Sequence, residues 1–370
     1  MRENTIHFAW REPRAAGRFE SGVCLHGHTM HSEECLSFLP RYLHRVPGIS
    51  QVVTRYQTGP RKVDIARAWW TPPLTPASAL ALEREQIAAL GLRPFVSLTD
   101  HDNIEAGLAL GIAAGPGETP VSVEWTVPYH GSVFHIGVHN LPRRSARSWM
   151  TAMAEYTAAP REPELPELLA TFASDPRVLV VLNHPFWLEE GVTVELHRRA
   201  LDLVLADCLG WFDAFELNGT RRWKENAAVA ELARAHSRPL ISGGDRHACE
   251  PAACINLTNA RSFDEFVTEI HAGRSRVLFL PHYREPMALR VLEAARDILR
   301  PYPEYPGREL WMDRLFYRGD DGIARSLTEL WRGKAPWMPA AAAALVQASA
   351  GMPLGSALRL FHSERGEMHP

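Results

Sequence analysis

Lysine is nearly missing from this chain of 370 residues: Lys62, Lys224 and Lys334 are the only three among 40 basic residues, and no run of basic side chains occurs. With a net charge of −3, that argues against long nucleic acid as the main partner, since such binding needs a clustered cationic footprint. The cysteines Cys24, Cys35, Cys208, Cys249 and Cys254 are odd in number and form no C-x-x-C pair. A disulfide framework and a thiolate zinc site are therefore disfavoured, and a cytoplasmic setting is expected. Long apolar runs are lacking too; the stretch near Pro339 to Val346 is far too short for a membrane span, so no membrane partner is expected. The N-terminal MRENTIHFAWREPR has no apolar h-region of the kind a secretory signal carries. No Gly-rich phosphate loop appears.

What is present is ordinary globular composition, 46% hydrophobic and 22% charged, in a length that suits two domains or one barrel-sized domain with an appendage. Short β-branched segments recur and end in ionisable residues: GVCLHGH (22–28), RPFVSLTDHD (93–102), PVSVEW (120–125), SVFHIGVH (132–139), RVLVVLNHP (177–185), DAFELNG (213–219) and RPLISGGDRH (238–247). Helical-period stretches such as Pro76 to Leu90, Val192 to Leu209 and Lys224 to His236 lie between them. The alternation predicts an α/β fold with a mostly parallel sheet, and continuous apolar runs such as VLVVL predict strands covered on both faces. Ionisable residues at successive strand ends point to a closed or distorted (β/α) barrel over 1–280. Residues 34–75, broken by Pro40, Pro47, Gly48, Pro60, Pro72 and Pro73, read as an insertion suited to a lid, and 281–370 as a helical C-terminal appendage.

The chemistry begins with His26 and His28, whose spacing sends both imidazoles to one side of a strand end. Asp245 and His247 repeat that spacing after two glycines, which allow close approach of backbone and ligand. Asp100 and His101 follow FVSL, His184 ends VLVVLN, and Glu124 and His135 sit on neighbouring strands. Each has a plain explanation alone, such as a helix N-cap for Asp100 and Asp102 or a turn before proline for His184. Recurrence at one strand end after another favours a shared metal site.

The ordered segments LHGHTMHSE, LTDHDN, VEWTV, VFHIG, LNHP and SGGDRH, spread over roughly residues 20 to 275, resemble the PHP (polymerase and histidinol phosphatase) phosphoesterases. The resemblance implies a distorted (β/α)7 barrel with a trinuclear centre. His26, His28, Glu124 and Asp245 would hold one ion, Glu124 bridging to a second held by His135 and His184. His101, His247 and an acid of the first motif would hold the third; that acid is commonly Asp, and Glu33 stands at its position. The implied activity is hydrolysis of a small phosphomonoester or nucleotide by a hydroxide bridging the metals.

Imidazole and carboxylate donors without thiolates suit two or three divalent ions of manganese, iron or zinc, and the spacing does not choose among them. Arg221 and Arg222, on a loop after FELNG, are candidates for clamping phosphate, whereas Arg246 alternates away from Asp245 and His247 and suits a packing ion pair. Asp100, Asp102 and His31 are undistinguished candidates for the general acid, and His139 reads as structural or supporting. Two alternatives stand beside phosphoester cleavage. One is C–N hydrolysis of the amidohydrolase type, whose usual bridging lysine has no counterpart at a strand end here; the other is a non-catalytic metal-binding regulatory module.

Overall fold

The computed structural model describes residues 3–36, 67–114 and 119–349; most of the expected insertion and the last residues of the expected appendage lie outside that set. The fold is mixed α/β. Its strands are β1 (Glu3–Phe8), β2 (Ser21–Cys24), β3 (Glu34–Cys35), β4 (Ala68–Trp70), β5 (Arg93–Val96), β6 (Val123–Tyr129), β7 (Ser132–His139), β8 (Leu179–Asn183), β9 (Ala214–Asn218), β10 (Leu240–Gly243), β11 (Cys254–Thr258), β12 (Arg274–Phe279), β13 (Leu315–Arg318) and β14 (Ala324–Ser326). They form two five-stranded sheets, ordered β1-β12-β11-β2-β5 and β10-β9-β8-β7-β6, and a four-stranded sheet β14-β13-β4-β3.

The helices are α1 (Pro76–Ala88), α2 (Glu105–Ala114), α3 (Ala146–Ala158), α4 (Glu164–Ala173), α5 (Val194–Cys208), α6 (Trp223–Ala235), α7 (Phe263–His271), α8 (Met287–Leu299), α9 (Leu327–Leu330) and α10 (Trp337–Ala348). Local signals explain several starts. Thr75, Thr193 and Ser262 accept a backbone N–H from the first turn of α1, α5 and α7, and Pro76 opens α1 where its missing N–H costs nothing.

The apolar run of β8 is buried throughout because it serves two cores. Val180 and Leu182 pack with Trp125, Leu169 and Phe172 on one face, while Leu179 and Val181 meet Val23, Ile241, Phe263 and Phe266 on the other. The sheet is not all parallel. β8, β9 and β10 run parallel, but β7 is antiparallel to both β6 and β8. A tight turn at His130 and Gly131, both at positive φ (46° and 76°), joins β6 to β7 as a hairpin.

The two larger sheets touch through isolated parallel bridges, Gly27 with Arg246 and His101 with Glu124. These bring the carboxyl ends of β2, β5 and β10 and the amino end of β6 to one place. The segment after residue 281 differs from the helical expectation: besides helices it carries the β13–β14 hairpin, turned by Gly319-Asp-Asp-Gly322 and paired to β4 from the expected insertion. Among the described residues no helix is long and apolar enough to cross a membrane.

Candidate metal centre

Strand ends deliver the predicted histidines and acids to a single cluster. His26 and His28 follow β2, His101 follows β5, Glu124 and His135 lie on the β6–β7 hairpin, His184 follows β8, and Asp245 and His247 follow β10. His184, Asp102 and Asp245 have positive φ (23°, 49° and 52°), a conformation that costs a non-glycine residue energy and tends to persist where function requires it.

Glu124, fully buried, stands at the middle. Its Oε2 lies 2.8 Å from His26 Nε2 and 3.4 Å from both His28 Nε2 and His101 Nε2. Its Oε1 faces the other way, 3.1 Å from His184 Nε2 and 3.4 Å from His135 Nδ1. Asp245 Oδ1 is 3.4 Å from His28 Nε2 and 3.7 Å from His26 Nε2.

The ring orientations are set from behind. Glu216, buried on β9, comes within 2.5 Å of His26 Nδ1 and accepts the His184 backbone N–H at 3.0 Å. It fits only because residue 243 is glycine: a Cβ there would stand 1.6 Å from Glu216 Oε1. Ser32 Oγ accepts from His28 Nδ1 at 3.2 Å and donates to Glu34 at 2.6 Å. His247 Nδ1 donates to the Asp245 carbonyl at 3.1 Å. With those nitrogens committed, the Nε2 atoms of His26, His28 and His247 are left for the cluster, and such fixing of the tautomer is what metal-binding imidazoles need.

A fit to metal follows from the donor set. Four groups, His26–His28–Glu124, His26–His184–Glu216, His28–Glu34–His247 and His101–Glu124–His135, each hold three ligand atoms within 4.8 Å of one another. His135 Nδ1 is buried without a hydrogen-bond partner and faces Glu124. Electron pairs gathered this closely repel unless positive charge lies among them. Burial pulls the His26 imidazole down, yet Glu124, Glu216 and Asp245 together raise it well above the ordinary range. Burial pushes Glu124 and Asp245 up, but the surrounding histidines hold both well below the usual carboxylate range. A centre that demands cations binds divalent ions in competition with protons.

Placement departs from expectation at several residues. Glu33 is exposed, and its neighbour Glu34 is buried with Oε2 3.3 Å from His247 Nε2 and 3.7 Å from His101 Nε2. Along Ser32–Cys35 the side chains alternate in and out, so the acid that faces the cluster is one residue later than the motif position. Arg222 is exposed at the N-cap of α6, away from the clamp role expected of it.

Arg221 behaves differently from Arg222. Its guanidinium stacks 3.9 Å from the Trp187 ring and its Nη2 is 3.5 Å from Asp245. Arg246 turns away from the cluster to Glu83, 3.2 Å distant and buried. Both oxygens of Asp100 accept from Thr29, one from its N–H at 2.5 Å and one from its hydroxyl at 2.8 Å. Asp102 accepts the Thr126 N–H at 2.8 Å. These bonds brace the turn that carries His28 and the strand β6 that carries Glu124, and burial raises both carboxyls from their ordinary value. His139 packs behind the site against Ser97 at 2.9 Å, in a supporting place.

No family model matches the chain, and no curated protein matches it in sequence. Among solved structures, a Bifidobacterium adolescentis protein provisionally described as a metal-dependent phosphoesterase overlaps it with 17% identity and a TM-score of 0.31, over 55% of this chain and 92% of that one. A Chromobacterium violaceum amidohydrolase, solved with sulfate and no metal, overlaps with 17% identity and a TM-score of 0.36, over 54% and 93%. Similarity this slight leaves the assignment to the chain's own residues.

Proposed function

We propose that the protein is a metal-dependent phosphoesterase of the PHP type, acting on a small phosphomonoester or nucleotide. The carrying observation is the convergence of imidazole and carboxylate lone pairs around Glu124, whose two oxygens face separate groups of histidines. In this reading β2, β5, β6, β7, β8, β9 and β10 close as a distorted seven-stranded barrel through the two isolated bridges, and 1–280 is the catalytic unit.

His26, His28, Glu124 and Asp245 would hold one ion, Glu124, His135 and His184 a second, and His101, His247 and Glu34 a third. When bound, manganese, iron or zinc ions neutralise phosphate oxygens and lower the pKa of the attacking water. Glu216 and Ser32 keep the His26 and His28 rings turned inward. Arg221, over the Trp187 ring beside Asp245, would offer its planar donors to a phosphate oxygen, a geometry lysine does not reproduce.

The test is phosphate release from a panel of nucleotides and sugar phosphates by protein loaded with each metal. Release that a chelator abolishes, and that Asp245→Asn removes without unfolding the chain, is the expected result. Liberation of ammonia or an amine from amide substrates, with no phosphate release, would assign the site to C–N hydrolysis. Full metal content with no turnover of either kind would make it a binding module.

A further inference from the structure

The residues after 281 reach the metal centre through a relay of very short strands. Glu34 lies on β3, only two residues long, which pairs with β4 as Glu34 with Trp70 and Cys35 with Trp69. β4 has three residues and pairs in turn with β13, Trp70 opposite Leu315, Trp69 opposite Phe316 and Ala68 opposite Tyr317. Strands this short do not persist as an isolated pair; a third strand and an apolar face have to hold them.

Those supports come from the C-terminal segment. Phe316 stacks on Trp69 with ring centroids 5.7 Å apart and planes 18° from parallel. Trp70, Leu36 and Ala68 bury themselves against Ile298, Leu315 and Tyr317. The Thr71 N–H donates to Arg314 O at 2.9 Å. Arg314, buried, donates to the carbonyls of Ile298 at 2.7 Å, Arg300 at 3.0 Å and Arg308 at 2.7 Å, tying β13 to the end of α8. Arg308 donates to Thr71 Oγ1 and to Pro72 O. On the site side, the Trp70 ring lies 5.7 Å from that of His247.

We infer that the C-terminal β13–β14 hairpin is a positioning element of the metal centre, and that it sets the affinity of the ion held by Glu34, His247 and His101 while leaving the ions around Glu124 alone. The inference rests on the metal-centre reading above. Glu124 and His135 lie on β6 and β7, His26 and His184 follow the wholly buried β2 and β8, and none of these strands belongs to the hairpin's sheet; Glu34 owes its place to it.

The experiment uses the full chain with Phe316→Pro. Bonded and non-bonded pairs alternate in an antiparallel ladder, so the Thr71–Arg314 bond places Phe316 opposite Trp69 in a bonded pair, and proline removes its N–H. Wild type, Phe316→Pro and Glu34→Gln are loaded with manganese or zinc, the ions per chain are counted, and the weakest ion is titrated against a chelator. Amide exchange of residues 34–36 is followed in the same samples. The expected result is a loss of one ion, or at least about tenfold weaker binding of it, in both variants, with the remaining ions unchanged. Residues 34–36 exchange at least about tenfold faster in Phe316→Pro as their ladder opens.

Phe316→Ala, which keeps the backbone donor, is expected to weaken the same ion by a smaller factor and decides the matter if the proline variant does not fold. Unchanged ion number, affinity and exchange in a folded variant overturn the inference, as does loss of all ions together. A wild type that takes up no ion overturns it along with the proposed function; a fully loaded wild type that releases no phosphate overturns the function alone.

Discussion

The two sides of the cluster are built in different ways. The deep side, Glu124, Glu216 and His26, is shut away from solvent at 0%, 0% and 1% exposure; Glu216 lies on β9 and His26 follows β2, strands whose every residue is buried, and Glu124 lies at the buried start of β6. The shallow side, Glu34, His101 and His247, keeps side-chain exposures of 10%, 16% and 22%, and its carboxylate rides on the small sheet.

On the shallow side, protonation turns on burial set against neighbouring charge. Burial pulls His247 down, but the Glu34 carboxylate beside it lifts the imidazole to about 9. Burial dominates at His101 and takes it down to about 4 despite Glu124 and Glu34. The deep side is thus a rigid socket whose geometry the core dictates, and the shallow side a balance between neighbouring charges that a small movement of one strand can shift.

The sharpest way to break this comparison is Glu124→Gln. Removing the shared charge leaves buried imidazoles with no common partner, so phosphoester turnover should fall by on the order of 10³-fold or more, the several kcal/mol expected of metal-supplied stabilisation. Metal content should fall with it. A variant that retains its full complement of ions would show that the two sides are independent.

Glu216→Gln probes the deep side without touching the central carboxylate. It leaves His26 and His184 less firmly oriented, and the expectation is about 10- to 100-fold weaker metal binding with folding intact. Gly243→Ala should act in the same direction, because its Cβ displaces the Glu216 carboxylate. Chelator titrations of the two variants should overlay if position, not charge, is what Glu216 contributes.

Legibility in the sequence follows the same line. The ligands that were read correctly stand just after short, wholly buried apolar strands, where a period of two points His26 and His28, or Asp245 and His247, to one side. Glu216 lay in a segment readable as a strand, yet its acid has no motif around it; the signal was its alternation with Asn218, which shares its face and donates to it at 3.1 Å. The shallow acid was misplaced by one residue because β3 takes its register from β4 and, through β4, from β13, far along the chain. β13 and β14 were themselves hidden: Asp321-Gly322 between LFYR and IARS is a hairpin signal, but it sits among stretches of helical period. The antiparallel β7 was likewise foreshadowed by the short link between VEWTVPY and SVFHIGVH, too brief for a parallel crossover.

Arg221→Lys tests the rim where the two sides meet. Lysine keeps the charge but loses the contact of the guanidinium with Trp187 and the paired donors, so kcat/KM for phosphoesters should fall by about tenfold, roughly the worth of one charge-assisted hydrogen bond, with ion content unchanged. Arg222→Ala, at an exposed helix start, should leave both unchanged. Steady-state kinetics alongside metal analysis separates the two arginines.

The smallest effect at neutral pH, and the one that asks whether burial alone governs the deep side, concerns His139. Burial, and then the charge of His26, takes its imidazole down to about 3. A histidine whose folded value lies below its unfolded one leaves the unfolded chain binding more protons, so its stability contribution is intact above about pH 6.5 and drains away as pH falls toward 3. At pH 5 the cost is about 2 kcal/mol and at pH 7 it is close to nil. His139→Gln cannot take up that proton, so between pH 7 and pH 5 the urea midpoint of the metal-free variant should fall less than that of the metal-free wild type. Equal losses in the two proteins would mean that the acid sensitivity of the deep side resides in the carboxylate–imidazole cluster itself and that the wall behind it is inert.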